Sequence, residues 1–214
     1  MGIAQNIRDL KSKIGRTKLL AATKEVPLAL ITEALAAGIN DVGENRVQEA
    51  QSKIPDLKAQ FPNVKFHMIG HLQTNKVKAA LKLFDVIQSV DSLHLAQEIS
   101  QRATKPIEIF IEVNTSGEAS KYGVQPEAAL ELVRQISKLP NLKILGLMTL
   151  GPLTADPDRS RKAFRKLKEL RDQIRTAGFK EVQHLSMGMS DDYPLAIEAG
   201  SDIIRIGRAI FKGG

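Results

Sequence analysis

Eight short apolar segments, each followed by a stretch with helical spacing except the last, run through a chain of 214 residues, and this alternation constrains the fold more than any other feature. The strand-like segments are 18–23, 40–43, 65–70, 85–90, 106–114, 142–150, 181–186 and 202–206. Helical patterns fill 27–37, a stretch from about Arg46, then 73–83, 93–103, 126–139, 156–177 and 193–199. Strands separated by crossover helices pair in parallel, and eight such units in a chain of this size predict an α/β fold, a (β/α)8 TIM-type barrel. The structural competitor, a doubly wound open sheet, usually carries a Gly-rich first turn, and neither G-x-G-x-x-G nor G-x-x-x-x-G-K-[ST] occurs. Almost nothing follows the last strand, so the eighth helix is expected to be missing. An opening helix over 3–14, with Ile3, Ile7, Leu10 and Ile14 at helical spacing, is expected to cover that seam. With no linker, repeat or low-complexity run, one domain over 1–214 and no second domain is the expectation.

Composition excludes several classes. No cysteine is present, which removes disulfides, thiolate metal sites and cysteine nucleophiles. The longest apolar runs are far too short to span a bilayer, and the N-terminal residues lack a signal-peptide hydrophobic region. A cytoplasmic address without membrane attachment is therefore expected. The net charge of +7 raises a polyanion hypothesis. Much of the excess lies in 159–171, but Phe164, Leu167, Leu170 and Ile174 recur at helical spacing and put most cations on the opposite, solvated face. The run has no interleaved aromatics for base stacking. Nucleic-acid or regulatory-partner binding is kept as the reading from a different class, and outer helices this polar are compatible with a monomer.

Two regions carry candidate chemistry. The first is Lys24, delivered by strand 18–23 to the strand's C-terminal end, where α/β proteins gather ligands. A partly desolvated lysine there is a candidate for carbonyl chemistry; the alternative is a solvated loop charge. The second is the pair of segments 184–192 and 204–208, which a barrel places side by side. Ser186, Gly188, Ser190, Gly207 and the amide of Arg208 read as a cup for a phosphate. The alternative is that the glycines only relieve tight turns and Ser190 caps a helix. Arg205 lies inside the apolar strand Asp202-Ile-Ile-Arg-Ile, where a permanent charge needs a partner or a ligand. His67 and His71 flank Gly70 without a carboxylate at ligand spacing, so no metal site is expected. Lys121 and Tyr122 read as an exposed loop or a flap.

At these residues the chain resembles the pyridoxal phosphate (PLP) homeostasis protein family, itself similar to the N-terminal barrel of alanine racemase and to fold-type III PLP enzymes. The resemblance rests on Ala21-Ala-Thr-Lys-Glu-Val-Pro27, Gly43-Glu-Asn-Arg-Val-Gln-Glu49, Phe66-His-Met-Ile-Gly-His-Leu-Gln-Thr-Asn-Lys76 and Ser89-Val-Asp91. It continues through Glu112-Val-Asn-Thr-Ser-Gly-Glu-Ala-Ser-Lys121, Gly146-Leu-Met-Thr149, Leu185-Ser-Met-Gly-Met-Ser-Asp-Asp192 and Ile204-Arg-Ile-Gly207. It implies that Lys24 holds PLP as a covalent imine, that Asn45 and Met148 lie near the ring, and that Arg205 faces the pyridine nitrogen. Ser186, Gly188, Gly207 and Arg208 would bind the phosphate. Three positions depart from the common pattern: Arg208 replaces a frequent threonine, Gln88 replaces a frequent histidine, and Lys212 interrupts the usual phenylalanine-glycine ending.

The resemblance implies a function in PLP homeostasis, that is, holding, buffering or delivering the cofactor, with PLP-dependent apoenzymes as partners. An arginine beside the ring nitrogen makes a weak electron sink. Racemases of this fold add a tyrosine base from a further domain, and this chain's two tyrosines, Tyr122 and Tyr193, lie in no matching motif. No catalytic residue is therefore assigned, turnover is not expected, and a small PLP-dependent amino-acid racemase is the alternative.

Overall fold

The computed structural model describes residues 2–212. Its strands are β1 (Lys18–Ala22), β2 (Asp41–Glu44), β3 (Lys65–Met68), β4 (Val86–Val90), β5 (Ile107–Glu112), β6 (Leu142–Met148), β7 (His184–Ser186) and β8 (Ile203–Ile206). Each pairs in parallel with its chain neighbour, and β8 returns to β1 to close the barrel, with Leu20 opposite Arg205. The helices are α1 (Ile3–Ile14), α2 (Leu28–Ala36), α3 (Val47–Gln51), α4 (Ile54–Gln60), α5 (Val77–Leu83), α6 (Leu93–Arg102), α7 (Pro126–Ile136), α8 (Pro157–Thr176), α9 (Tyr193–Glu198) and α10 (Arg208–Phe211). The expected barrel is thus the observed one.

Side-chain alternation divides the apolar residues between two cores. Leu19, Ala21, Val42, Phe66, Ile87, Ile109, Ile111, Leu147, Leu185 and Ile204 belong to the large core shared with the helices. Leu20, Ile69, Val86, Phe110, Met148 and Ile203 form a separate cluster. Register pairing places Leu20 level with Asp41 and Arg205, Val86 with His67, and Met148 with Glu112 and Ser186. Polar and charged residues therefore share this second, inner face of the strands.

The boundaries differ from expectation where strands give way to loops. β3, β5 and β6 stop two residues early: Ile69, Val113 and Thr149 still donate to the neighbouring strand, but Asn114 N turns to the Val124 carbonyl of the connection at 2.9 Å. The helix expected from Arg46 is two pieces, broken at Ser52 and Lys53, with Pro55 in the first turn of α4. The expected helix over 73–83 begins as a single 3-10 turn, Thr74–Lys76. The eighth helix is not missing: α10 supplies one turn, and α1 packs against both it and α2. There Asn6 Nδ2 donates to the Ile210 carbonyl at 2.9 Å, so the opening helix does cover the seam. The single-domain expectation includes residues 1, 213 and 214, which lie outside the described residues.

The basic helix α8 buries Ala163, Phe164, Leu167, Leu170 and Ile174. Several of its cations pair at the surface, including Arg161 with Asp158 at 3.0 Å, Lys168 with Asp172 at 2.8 Å and Lys166 with Glu127 at 3.3 Å. Among the described residues, no helix is long and apolar enough to cross a membrane.

Among the described glycines, the one with least room for a side chain is Gly146 of β6, where an added Cβ would sit 1.9 Å from the His184 carbonyl oxygen of β7. That contact is with backbone and has no flexible side chain to yield. Gly146→Ala is therefore expected to destabilise the protein by about 3 kcal/mol, read as a lower urea midpoint at unchanged slope. Gly2→Ala, which meets nothing within 4 Å, is the control and should change stability by less than about 1 kcal/mol.

Candidate functional site at the C-terminal mouth

Lys24 lies in the turn that follows β1, and its side chain is exposed. The expected partial desolvation is not met, because β1 ends at Ala22 and the lysine projects beyond it. The turn itself is held from beneath. Glu25 takes a left-handed backbone, φ 60°, a conformation costing a non-glycine residue about 1–2 kcal/mol. Its N–H donates to Glu49 Oε1 at 2.6 Å. Lys53, buried at the break between α3 and α4, donates to Glu49 at 2.5 Å, to the Thr23 carbonyl at 3.0 Å and to Glu44 at 3.2 Å. Thr23 donates its hydroxyl to the same Glu44 oxygen at 2.6 Å. Three residues from the next βα unit thus fix the backbone on either side of Lys24.

The segments after β7 and β8 meet as expected. Ser190 Oγ lies 3.4 Å from the Ala209 amide, at the start of α10. Gly188 has φ +97°, and a Cβ there would lie 2.6 Å from the Ala196 Cβ, so both backbone and space require glycine. Its carbonyl accepts from Arg205 N at 2.9 Å, which ties the two segments together. Gly207 starts α10 and would place a Cβ 3.1 Å from the Ala22 carbonyl of β1. The Arg208 guanidinium points instead to Asp191 at the surface.

Ser186 does not join that cup through its side chain. It is fully buried, and its hydroxyl donates to Gln88 Oε1 at 2.6 Å while accepting from Arg205 Nη1 at 2.7 Å. Arg205 is also buried and donates Nη2 to the Thr149 carbonyl at 2.8 Å. Thr149 is fixed in turn by donating its own hydroxyl to the Val113 carbonyl at 2.7 Å. Two bonds leave the remaining guanidinium N–H groups for other acceptors. Burial pulls the Arg205 pKa down to about 10 against the opposing pull of Glu112 and Asp192, so the group stays cationic at neutral pH. Met148 is wholly buried in the inner cluster beside Ser186. Asn45 follows β2 and lies against Gly70, where a Cβ would meet the Asn45 carbonyl oxygen at 2.4 Å.

Glu112 and Asp192 were given no role by the sequence, yet both sit in the field of Arg205. Glu112 closes β5 opposite Met148, is buried, and is pushed up to about 7 by burial and by the charge of Asp91, with Arg205 opposing. Asp192 is raised by burial, while its bond from the Met189 amide at 2.6 Å and Arg205 pull the other way. A partial signal for Glu112 existed in the sequence: it is a charge among the apolar residues of β5, as Arg205 is in β8, although Glu108 on the same strand carries the same signal and pairs with Lys65 instead. At the rim, His71 Nδ1 lies 3.5 Å from Asp91, and its ring stacks on Tyr122 with centroids 3.8 Å apart. The loop of Lys121 and Tyr122 is pinned, with Lys121 donating to the Gly151 carbonyl at 2.5 Å.

The Glu112 pKa makes a stability prediction. The folded value, about 7, lies above the ordinary glutamate value of 4.5. The stabilisation from its bound proton is fully present below about pH 4.5 and is lost as pH rises through about 7. The loss amounts to roughly 3 kcal/mol. Thermal unfolding of Glu112→Gln across pH 4–8 is expected to lack this decline, matching the parent at pH 4 and exceeding it at pH 8. Parallel parent and variant curves over that range would refute the assignment.

The family described as alanine racemase, N-terminal domain, matches residues 2–213. The protein named pyridoxal phosphate homeostasis protein from Aquifex aeolicus is 43% identical over 98% of this chain and 94% of its own length. The human protein of that name is 37% identical over 98% of this chain and 80% of its own. Among solved structures, PipY of Synechococcus elongatus with PLP bound has a TM-score of 0.90 at 32% identity, covering 98% of this chain and 99% of PipY. Alanine racemase from Corynebacterium glutamicum has a TM-score of 0.80 at 17% identity, over 97% of this chain and 60% of the enzyme, a likeness of fold alone. The chain belongs to the alanine racemase N-terminal domain family and, within it, to the pyridoxal phosphate homeostasis proteins.

Proposed function

We propose that this protein binds PLP at the C-terminal mouth of the barrel and serves intracellular PLP homeostasis by holding, buffering or delivering the cofactor. The observation that carries this reading is the convergence of three groups from adjacent strands. Lys24 follows β1, Arg205 lies on β8 directly paired to β1, and the Ser190–Ala209 contact joins the segments after β7 and β8. The residues present fit the cofactor: a primary amine for its aldehyde, a cationic donor for its ring nitrogen, and two glycines and backbone amides for its phosphate.

When bound, PLP supplies an aldehyde that links reversibly to a primary amine and a ring that withdraws electrons. Lys24 would supply that amine, and its exposure would leave it open to competition from other amines. Gly188, Gly207 and the Arg208 amide would hold the phosphate, Met148 and Asn45 would line the ring, and Ser186 accepts a hydrogen bond from Arg205 and so steadies it. Arg205 retains its proton at neutral pH, so a ring nitrogen beside it stays an acceptor and withdraws electrons weakly. That favours a carrier that passes PLP to dependent apoenzymes, acting as a cytoplasmic monomer. A racemase reading draws on one observation, the buried Glu112 near Arg205; solvent deuterium entering the α-carbon of an amino acid only with the intact protein would favour it.

Reduction with borohydride after loading with PLP is expected to label Lys24 alone in a peptide map, and Lys24→Ala is expected to lose the visible absorption band with its far-ultraviolet circular dichroism unchanged. Label at a different lysine, or none, overturns the proposal.

A further inference from the structure

A line of buried side chains crosses the barrel interior from one mouth to the other. It starts at Arg205 on β8, whose Nη1 donates to Ser186 Oγ on β7 at 2.7 Å. Ser186 donates to Gln88 Oε1 on β4 at 2.6 Å, Gln88 Nε2 lies 3.0 Å from His67 Nδ1 on β3, and His67 Nε2 lies 2.9 Å from Asp41 Oδ1 on β2. All five side chains are buried. The line ends at the N-terminal mouth, where the half-exposed Lys18 reaches Asp41 at 3.6 Å. A cavity of about 450 Å³ there is lined by Lys18 and His67 among others.

The donor direction along this line follows from its far end. The Asp41 carboxylate only accepts, which puts a hydrogen on His67 Nε2. The singly protonated ring then accepts at Nδ1, and the Gln88 atom beside it is the amide nitrogen, a donor. Gln88 Oε1 is left to accept the Ser186 hydroxyl, whose lone pair takes the Arg205 N–H. Turning the Gln88 amide over breaks this order. Ser186 would then face donors from both Gln88 and Arg205, its own hydrogen would have no acceptor along the line, and His67 would need a second proton. The order seen here leaves none of these groups orphaned, and an orphaned buried donor or acceptor is costly.

We propose that Gln88 and His67 are positioning residues for Arg205, fixing its guanidinium through Ser186 with a polarity set by Asp41 at the opposite mouth. Neither residue reaches the C-terminal mouth itself. A glutamine performs this role because it offers one donor and one acceptor on opposite sides of a rigid amide, as a histidine also does. The effect on the cofactor rests on the function proposed above; the hydrogen-bond order does not.

The experiment joins nitrogen NMR of histidine-labelled, unloaded protein to PLP titration. In the parent, His67 is expected to show a bare, accepting Nδ1 and a protonated Nε2. Gln88→Leu removes both bonds and is expected to move the Nδ1 resonance, to weaken PLP binding about tenfold, the loss of roughly one buried hydrogen bond, and to shift the visible band of bound PLP. Gln88→His restores a donor and an acceptor and is expected to return affinity to within about twofold of the parent. A His67 hydrogen on Nδ1 in the parent overturns the donor order. A Gln88→Leu protein with parental affinity and band, or a Gln88→His protein as weak as Gln88→Leu, overturns positioning. Should the parent not bind PLP, the functional reading fails while the NMR result still decides the hydrogen-bond order.

Discussion

A guanidinium buried inside a barrel is the constraint on which the rest of the site depends. Moving an ion of this size out of water costs several kcal/mol even after relaxation, and charge-assisted hydrogen bonds return about 1.5–3 kcal/mol each. Arg205 meets that cost with Ser186 and the Thr149 carbonyl, in the field of Glu112 and Asp192. The magnitudes decide which group yields. Arg205 falls only to about 10 and keeps its charge, whereas Glu112 rises to about 7 and becomes the group that titrates near neutrality. Burial drives both shifts, lowering Arg205 and raising Glu112, and the attraction between the two charges limits each.

The strand order gives that cation its reach. β8 pairs with β1, so Arg205 and the turn carrying Lys24 stand on neighbouring strands, and Gly188 bonds to Arg205 through the backbone. The lysine turn is held independently by Glu44, Glu49 and Lys53, which offset the left-handed conformation at Glu25. One half of the mouth is therefore fixed by a buried polar line through the barrel, the other by a clamp in the next βα unit. The outcome is an exposed amine on a turn whose backbone is fixed from both sides.

Much of this was legible in the chain. Eight alternations sufficed for the barrel, because each strand must bury both faces and each helix one. Lys24 and Arg205 were legible for opposite reasons, one as a strand-end amine and the other as a charge in an apolar strand. Boundaries at the mouth were not, since Gly70, Asn114 and Leu150 are as compatible with a strand as their neighbours, and where the pairing ends depends on partners distant in the chain, as when Asn114 N bonds to the Val124 carbonyl. The one-turn α10 was invisible because four residues carry too little periodicity.

The sequence by itself determined the fold class and the strands that bear the reactive groups, because periodicity and burial are local properties written into every segment. Tertiary structure alone decided what those groups do to one another. Ser186, placed by sequence in a phosphate cup, is turned to Gln88 and Arg205, and Glu112 feels the charges of Asp91, just after β4, and of Arg205 on β8. Contacts such as Ser186 to Gln88 join residues almost a hundred positions apart. Closure of the barrel brings them together, and the direction of each hydrogen bond then depends on the next partner along the line rather than on any neighbour in the chain.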